Sequence, residues 1–156
     1  MGRGVAVLVL SYGLTWSLLL LPWLLVGERT LTGAELSQVL VSLPAVAILM
    51  ALIALYRKFP RALIVASVAS MLLAALIAVF TDFSLAPASL ELQESVTGIA
   101  GESSLGAQTL WPYIFATTSG VSILLGIWVA SLPVSTRVRV DEPGANDVRS
   151  IWDEQV

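Results

Sequence analysis

The chain has 156 residues and a formal net charge of −3; 57% of its residues are hydrophobic and 12% are charged. Soluble domains carry about 25% charged residues, so this composition excludes an ordinary soluble enzyme or binding domain and indicates an integral membrane protein. The sequence holds no cysteine and no histidine, which excludes disulfides, thiolate chemistry and imidazole-based metal sites.

Four stretches of the chain lack Asp, Glu, Lys and Arg, and each approaches the roughly 20 residues that a helix needs to cross a bilayer. They lie at about 5–26, 36–56, 62–81 and 110–132. Because backbone polar groups must be satisfied inside hydrocarbon, we expect all four to be helices. The predicted fold class is therefore all-α, with four transmembrane helices in residues 1–132 and a tail at 133–156.

The second stretch begins with a recognisable helix start. Thr32 is followed three residues later by Glu35, which is the spacing of a capping box. We therefore expect a helix to begin at Thr32, before the chain enters the membrane. Pro44 lies farther along this stretch and is expected to kink the helix.

Small residues recur every four positions in the third and fourth stretches, and this spacing keeps them near one helix face. Such faces let two helix backbones approach closely in a membrane. Whether the two faces meet each other or a partner protein stays open. The candidate helix-contact residues are Ala66, Ser70, Ala74, Ala78, Ser122, Gly126 and Ala130.

The long loop between the third and fourth stretches is acidic, with Asp82, Glu91, Glu94 and Glu102 but no Lys or Arg. These carboxylates lack the tight alternating spacing and Gly turn that are typical of calcium loops, so we expect a solvated loop and no metal. The segment 87–96 is predicted to form a short helix with Pro near its start. Its expected apolar face comprises Leu92, Val96 and Ile99.

Aromatic residues cluster near the ends of the four stretches, where amphipathic rings typically lie at headgroup depth. The predicted outer belt comprises Trp23, Phe80, Phe83, Trp111 and Tyr113, and the inner belt Tyr56, Phe59 and Trp128. Tyr12 and Trp16 differ because they lie in the middle of the first stretch. Packing inside a bundle is the simpler interpretation of this pair, and a small aromatic-lined pocket is the alternative.

The orientation follows from the basic residues. Seven of the eight fall in segments that four crossings place on one side, and only Arg29 falls on the other. The positive-inside rule therefore predicts a multi-pass protein with both termini cytoplasmic and the acidic loop outside. The seven are Arg3, Arg57, Lys58, Arg61, Arg137, Arg139 and Arg149.

The tail is predicted to carry one short amphipathic helix after Asn146, a good N-cap residue. Val148, Ile151 and Trp152 would share its apolar face. A helix this short is marginal in water. We therefore expect these three residues to dock on the membrane surface, on the bundle or on another protein.

The absence of ionisable groups from the four stretches argues against an ion pump or proton relay. No catalytic motif or phosphate-binding glycine loop is present, so we expect no enzymatic activity and no cofactor. The few arginines do not form a basic surface for nucleic acid. The sequence thus directs attention to contacts with lipid and with other membrane proteins.

Short motifs along the chain resemble the tryptophan-associated transmembrane proteins of actinobacteria. They are Leu21-Pro22-Trp23, Thr30-Leu31-Thr32-Gly33-Ala34, Leu110-Trp111-Pro112 and Ile151-Trp152-Asp153. The chain departs from the family in having only Arg137 and Arg139 where a longer basic stretch follows the fourth span. The resemblance implies a four-helix protein of an actinobacterial plasma membrane, and it implies no activity and no site residues.

Two functional hypotheses follow. The first is a non-enzymatic accessory or assembly subunit of a larger membrane complex, with a respiratory complex among the candidates; its partners would be the lipid bilayer and other membrane-protein subunits. The second is a small carrier for an aromatic or weakly charged metabolite linked to tryptophan metabolism. Its expected lining comprises Tyr12, Trp16 and Gln38.

Overall fold

The computed structural model describes residues 2–56, 60–99 and 106–133. The predicted tail helix with Val148, Ile151 and Trp152 lies outside these ranges, as do Glu102 and Phe59. The described part of the chain is mostly helical. Its long helices are α1 (Gly2–Ser17), α3 (Gln38–Ala54), α4 (Pro60–Phe80) and α6 (Trp111–Ser131); shorter elements are α2 (Gly33–Leu36), α5 (Pro87–Thr97), β1 (Pro22–Val26), β2 (Arg29–Thr32) and β3 (Gly106–Gln108).

The four long helices form one bundle. Helix α4 packs extensively against α3 on one side and α6 on the other, and α1 closes the ring by contacting α3 and α6. Three segments among the described residues are long and apolar enough to cross a membrane: Gly2–Leu20, Pro60–Phe80 and Trp111–Ser131. Helix α3 is apolar as well but has 17 residues.

The expectation that residues 5–26 form a single helix is wrong. Helix α1 ends at Ser17, a 3₁₀ turn follows at Leu18–Leu20, and Pro22 then opens strand β1. Proline cannot donate the backbone hydrogen bond that a continuing helix needs, and it holds the preceding Leu21 in an extended conformation (φ −86°, ψ 159°). The strand stays satisfied in an apolar setting because it has a hydrogen-bonded neighbour on each side.

The fold is therefore not purely helical, because a three-stranded antiparallel sheet stands at one end of the bundle. Its strand order is β2-β1-β3, so β1 is central. Gly27, with a φ of 60°, makes the turn between β1 and β2 in the left-handed region that favours glycine. The hydroxyl of Thr109, just after β3, donates to the carbonyl of Pro22 at 2.7 Å. This hydrogen bond holds the end of β3 against β1. We call residues 18–36, 81–99 and 106–110 the cap.

Trp23 lies at the centre of the cap. It is fully buried, and its indole N–H donates to the carbonyl of Leu18 at 3.0 Å. Phe83 and Phe115 meet its ring edge to face, with centroids 5.5 and 5.4 Å away. Trp23 and Phe83 therefore do not lie on the protein surface as members of an aromatic belt would, because folding of the cap buries both side chains. The depth of the belt residues in the membrane stays a prediction.

Two local predictions for the helices of the cap can be compared with the structure. The Thr32 and Glu35 capping box is confirmed, although α2 ends after four residues and Ser37 caps α3 separately. The predicted helix at 87–96 is confirmed as α5, with Pro87 in its first turn. Of its expected apolar face, Leu92 packs against the core from outside, whereas Val96 and Ile99 are exposed. Ser89 and Gln93 are the buried residues of α5.

Candidate functional site

A layer of hydroxyl side chains crosses the middle of the bundle. Above it, near the cap, Leu19 and Phe115 belong to one apolar cluster; below it, Leu8 and Val129 belong to another. Polar side chains occupy the transition between these clusters on three of the helices. This hydroxyl layer comprises Ser11, Tyr12, Thr15, Ser67, Ser119 and Ser122.

The hydrogen bonds of the hydroxyl layer join α1 to both α4 and α6. The hydroxyls of Ser11 and Ser122 lie 2.6 Å apart, and that of Thr15 lies 3.3 Å from Ser122. Across the bundle, the phenolic oxygen of Tyr12 lies 3.2 Å from the hydroxyl of Ser67. Polar contacts between helices contribute about 0.6 kcal/mol each on average in membranes. The layer therefore fixes how three helices meet.

One member of the hydroxyl layer stands apart. Ser119 is completely buried, yet its hydroxyl has no hydrogen-bond partner among the residues that the structure describes. The other members have local or cross-helix partners; Ser67, for example, also donates to the carbonyl of Ile64 at 2.7 Å. Sequence analysis did not identify the layer. The helical spacing of Ser11 with Thr15 in the first stretch, and of Ser119 with Ser122 in the fourth, is the signal that could have found it.

The candidate helix-contact residues of α4 occupy two environments. Ala74 and Ala78 are fully buried, whereas Ala66 and Ser70 are half-buried. The reason is geometric. The buried face of α4 advances in alternating steps of four and three residues, and a strict four-residue ladder drifts away from it.

The candidate contacts of α6 lie at the centre of the bundle and at its edge. Ser122 and Gly126 are buried, and Ala130 is half-buried. A Cβ placed on Gly126 would collide with a methyl group of Val68 on α4 and would lie 3.4 Å from the Tyr12 hydroxyl oxygen. Glycine thus permits three helices to converge here, and this contact is internal to the chain.

The structure does not bring the three expected carrier-lining residues together. Tyr12 is buried in the hydroxyl layer, Trp16 is 43% exposed on the outer side of α1, and Gln38 is exposed at the start of α3. Trp16 does line an apolar cavity of about 170 Å³ together with Leu20 and Val41. This cavity lies where α1 meets α2 and α3, on the outside of the bundle.

In the described part of the chain, basic and acidic side chains lie mainly at opposite ends of the bundle. Arg61 donates to the carbonyl of Leu132 at 3.4 Å, and a Cβ on Gly4, next to Arg3, would contact Leu132 as well. Arg3 and Arg61 therefore share one end, which we call the basic end. The cap at the other end carries Arg29 and five carboxylates: Glu28, Glu35, Asp82, Glu91 and Glu94.

Two of the cap carboxylates hold local structure. Glu35 accepts hydrogen bonds from the backbone N–H of Thr32 at 2.8 Å and from its hydroxyl at 2.9 Å, and these lower the pKa of the Glu35 carboxyl. Asp82 accepts from the hydroxyl of Ser84 at 2.7 Å and from its N–H at 3.0 Å, which lowers the pKa of Asp82 in the same way. Both carboxylates are expected to be ionised at neutral pH.

An open groove runs across the outside of the cap between α2 and α5. It is a shallow, wide-open depression of about 500 Å³, lined mainly by apolar surface together with two carboxylates. The residues that line it are Leu31, Glu35, Ala88, Glu91, Leu92 and Ser95. We call it the cap groove. Sequence analysis did not find it, because its two walls are more than 50 residues apart in the chain.

No group of three or more acidic side chains in residues 2–56, 60–99 and 106–133 is arranged to hold a metal ion. Comparison with known proteins gave no relative: no family model, no curated protein and no solved structure matches the chain. The resemblance to the tryptophan-associated proteins therefore stays a prediction, and the functional argument rests on the geometry of the bundle and the cap.

Proposed function

We propose that the chain is a non-enzymatic, multi-pass membrane protein that acts as an accessory or assembly subunit of a larger membrane complex. The observation that carries this proposal is the closed centre of the bundle. Gly126 lies against Val68 and near Tyr12 and Leu8, so side chains fill the space between α1, α4 and α6 at this level of the bundle. The surfaces of the protein are then the places where it can act.

The same proposal includes four crossings. Three helices meet the length and composition of a span, and α3 has 17 apolar residues, which extend about 25 Å at about 1.5 Å per residue. Helix α3 packs alongside α1 and α4, so it runs through the same layer as both. Pro44 within it is buried against the bundle, where neighbouring helices can compensate for the lost hydrogen bond.

The charge separation supports an orientation with the basic end in the cytoplasm and the cap outside. Arg3 and Arg61 lie at one end, in keeping with the positive-inside rule, while the cap is mostly acidic. Four crossings would place both termini on the cytoplasmic side. An actinobacterial plasma membrane remains the location that the family resemblance implies.

Affinity purification of the tagged full-length chain from membranes in mild detergent tests the subunit proposal. We expect defined membrane proteins to co-purify in fixed ratio and the native mass to exceed that of the monomer. Trp152→Ala is expected to lower their recovery, and Ser150→Ala in the same tail serves as the matched control. A monomeric native mass with no protein enriched over a mock purification would contradict the proposal.

The apolar cavity beside Trp16 favours a second candidate, a carrier for an aromatic or weakly charged metabolite. Its volume of about 170 Å³ is close to that of a cavity known to hold benzene. In proteoliposomes this function predicts uptake of a labelled aromatic metabolite that Trp16→Ala reduces. Trp128→Ala is the control, because Trp128 is comparably exposed on α6 but does not line the cavity. Uptake by the wild type no greater than that of protein-free liposomes would argue against a carrier, and equal uptake by all three proteins would argue against the cavity beside Trp16 as its binding site.

A further inference from the structure

The two walls of the cap groove are held in place independently. On one wall, the capping box between Thr32 and Glu35 fixes α2. On the other, the buried amide of Gln93 donates to the carbonyl of Ser84 at 3.1 Å and to the hydroxyl of Ser89 at 2.8 Å, which fixes α5. The groove is therefore a preformed surface, and little conformational entropy opposes binding there.

The floor of the cap groove is apolar. Leu31 and Leu92 lie in it and are both half-buried, because they pack from outside against the core that contains Trp23. Ala88 lies on the same face of α5 as Leu92, and its small side chain leaves space in the groove. A patch of this kind, open to water and bordered by polar groups, typically marks a contact surface.

The rim of the cap groove is anionic. Glu35 lines one wall and Glu91 the other, and both side chains are exposed. Both hydrogen bonds from Thr32 reach Oε2 of Glu35, so its Oε1 accepts none from the described part of the chain. Among the residues that the structure describes, no Lys or Arg lines the groove. Its chemistry thus joins apolar contact with negative charge.

We propose that the cap groove binds a basic amphipathic segment of a partner protein outside the membrane. Apolar side chains of that segment would lie on Leu31 and Leu92, and a Lys or Arg would lie between Glu35 and Glu91. This inference rests on the subunit function proposed above and specifies the chemistry of the partner. Complementary charge would steer the encounter, and the apolar floor would supply the buried area.

The composition of the groove disfavours other occupants. A calcium ion takes 6–8 oxygen ligands, whereas two carboxylates line the groove in the described part of the chain. Anionic lipid headgroups and phosphate groups would be repelled by Glu35 and Glu91. A cationic amphipathic peptide has apolar side chains that match the floor and positive charges that match the rim.

The direct test uses the full-length protein in nanodiscs of zwitterionic lipid and a fluorescent model peptide of alternating leucine and lysine. Fluorescence anisotropy is measured with empty nanodiscs as the background. We expect saturable binding that weakens as salt rises, because exposed charges are screened. Glu91→Lys is expected to raise the Kd at least about tenfold, since like charges then meet across the contact.

Glu94→Lys is the matched control, because Glu94 lies on α5 but does not line the groove. It makes the same change of net charge, and we expect the Kd to change less than about twofold because its charge is exposed to solvent and away from the contact. Equal weakening by the two variants would mean that general surface charge alone attracts the peptide, which overturns the proposal. Equal binding of a peptide with serine in place of leucine would overturn it too. Unchanged melting temperatures would show that both variants fold.

Co-purification separates this inference from the subunit function on which it rests. Recovery of partners with the wild type and with Glu94→Lys, but not with Glu91→Lys, would support both. Equal recovery with all three would overturn the groove proposal and leave the subunit function standing. If no partner co-purifies with the wild type, the subunit function fails, and peptide binding by the nanodisc-embedded protein still decides whether the groove recognises basic segments.

Discussion

At the scale of single residues, Gly126 is the glycine of the bundle where an added side chain has the least space. We expect Gly126→Ala to destabilise the protein, because the added methyl group would collide with Val68. Overpacking of this kind costs about 1–3 kcal/mol. Thermal unfolding in mild detergent should show a lower melting temperature, and adding Val68→Ala should restore part of the loss.

Gly120→Ala is the control for that substitution. Gly120 lies on the same helix, and a Cβ there meets nothing within 4 Å. Alanine favours helix by up to about 1 kcal/mol over glycine, so this variant should be as stable as the wild type or slightly more stable. Equal melting temperatures for both alanine variants would show that α6 does not approach α4 as closely as described.

Gly33 is the corresponding residue in the cap. A Cβ there would lie 2.6 Å from Cε2 of Trp23, so the indole ring packs directly on the backbone at the start of α2. Gly33→Ala should displace Trp23 and lower the melting temperature, whereas Gly13→Ala, which has open space, should not. Tryptophan emission should shift to longer wavelength in Gly33→Ala alone. An unchanged spectrum and melting temperature would contradict the burial of Trp23 against Gly33.

At the scale of elements, the stability of the N-terminus of α2 depends on pH. Hydrogen bonds from Thr32 lower the pKa of Glu35 in the folded protein below its ordinary value of about 4.3. The stabilisation is therefore complete above the unfolded pKa and is lost as pH falls through the folded pKa. Glu35→Gln should lower the melting temperature at pH 7, and its difference from the wild type should shrink below about pH 4.

The expected size of this effect is less than about 1 kcal/mol, because Glu35 is exposed and such a cap contributes little more. Glu94→Gln removes a carboxylate from α5 that takes no part in a cap, so at pH 7 its melting temperature should differ from that of the wild type by less than the melting temperature of Glu35→Gln does. A difference between wild type and Glu35→Gln that grows as pH falls would contradict this account.

Elements specified by local chemistry could be predicted from the sequence. The capping box at Thr32 and the start of α5 at Pro87 depend on neighbouring residues, and both are found as expected. Strand β1 could not be predicted in this way. Its residues are apolar enough for a span, and only its pairing with β2 and β3 makes an extended backbone possible there. The packing of Trp23 depends on the same distant contacts.

The candidate sites also combine features that the sequence shows with features that only the tertiary structure shows. Small residues along α4 and α6 are visible in the sequence, but the sequence does not show that Gly126 meets Val68 of this chain. The cap groove needs Glu35 on α2 and Glu91 on α5 to be brought together, although they are more than 50 residues apart in the chain. Sequence spacing therefore identifies faces of single helices, whereas the partners of those faces follow from the tertiary structure.

At the scale of the whole molecule, four crossings make a prediction about α3. The chain has no cysteine, so single cysteines can be introduced at its two ends without background. Thr30→Cys lies in the cap before α3 and Tyr56→Cys lies after it, and both native side chains are exposed. A membrane-impermeant maleimide should label Thr30→Cys in intact spheroplasts and Tyr56→Cys only after permeabilisation.

Ser95→Cys in the cap and Ser131→Cys at the basic end provide the reference for the two sides, because α6 separates them. Labelling of Thr30→Cys and Tyr56→Cys from the same side would show that α3 does not cross the membrane. The chain would then have three crossings, and its termini would lie on opposite sides.

The order of the cap sheet also has a consequence for biosynthesis. Strand β1 needs β3 to pair the backbone groups along its second edge. The paired residues Val26 and Gly106 are about 80 residues apart in the chain. At about 5–20 residues per second, the ribosome delivers β3 some 4–16 seconds after β1. During that interval the hairpin of β1 and β2 has one row of backbone groups unpaired. The nascent protein is then most exposed to mispairing or to a chaperone, until the segment just before the last helix arrives.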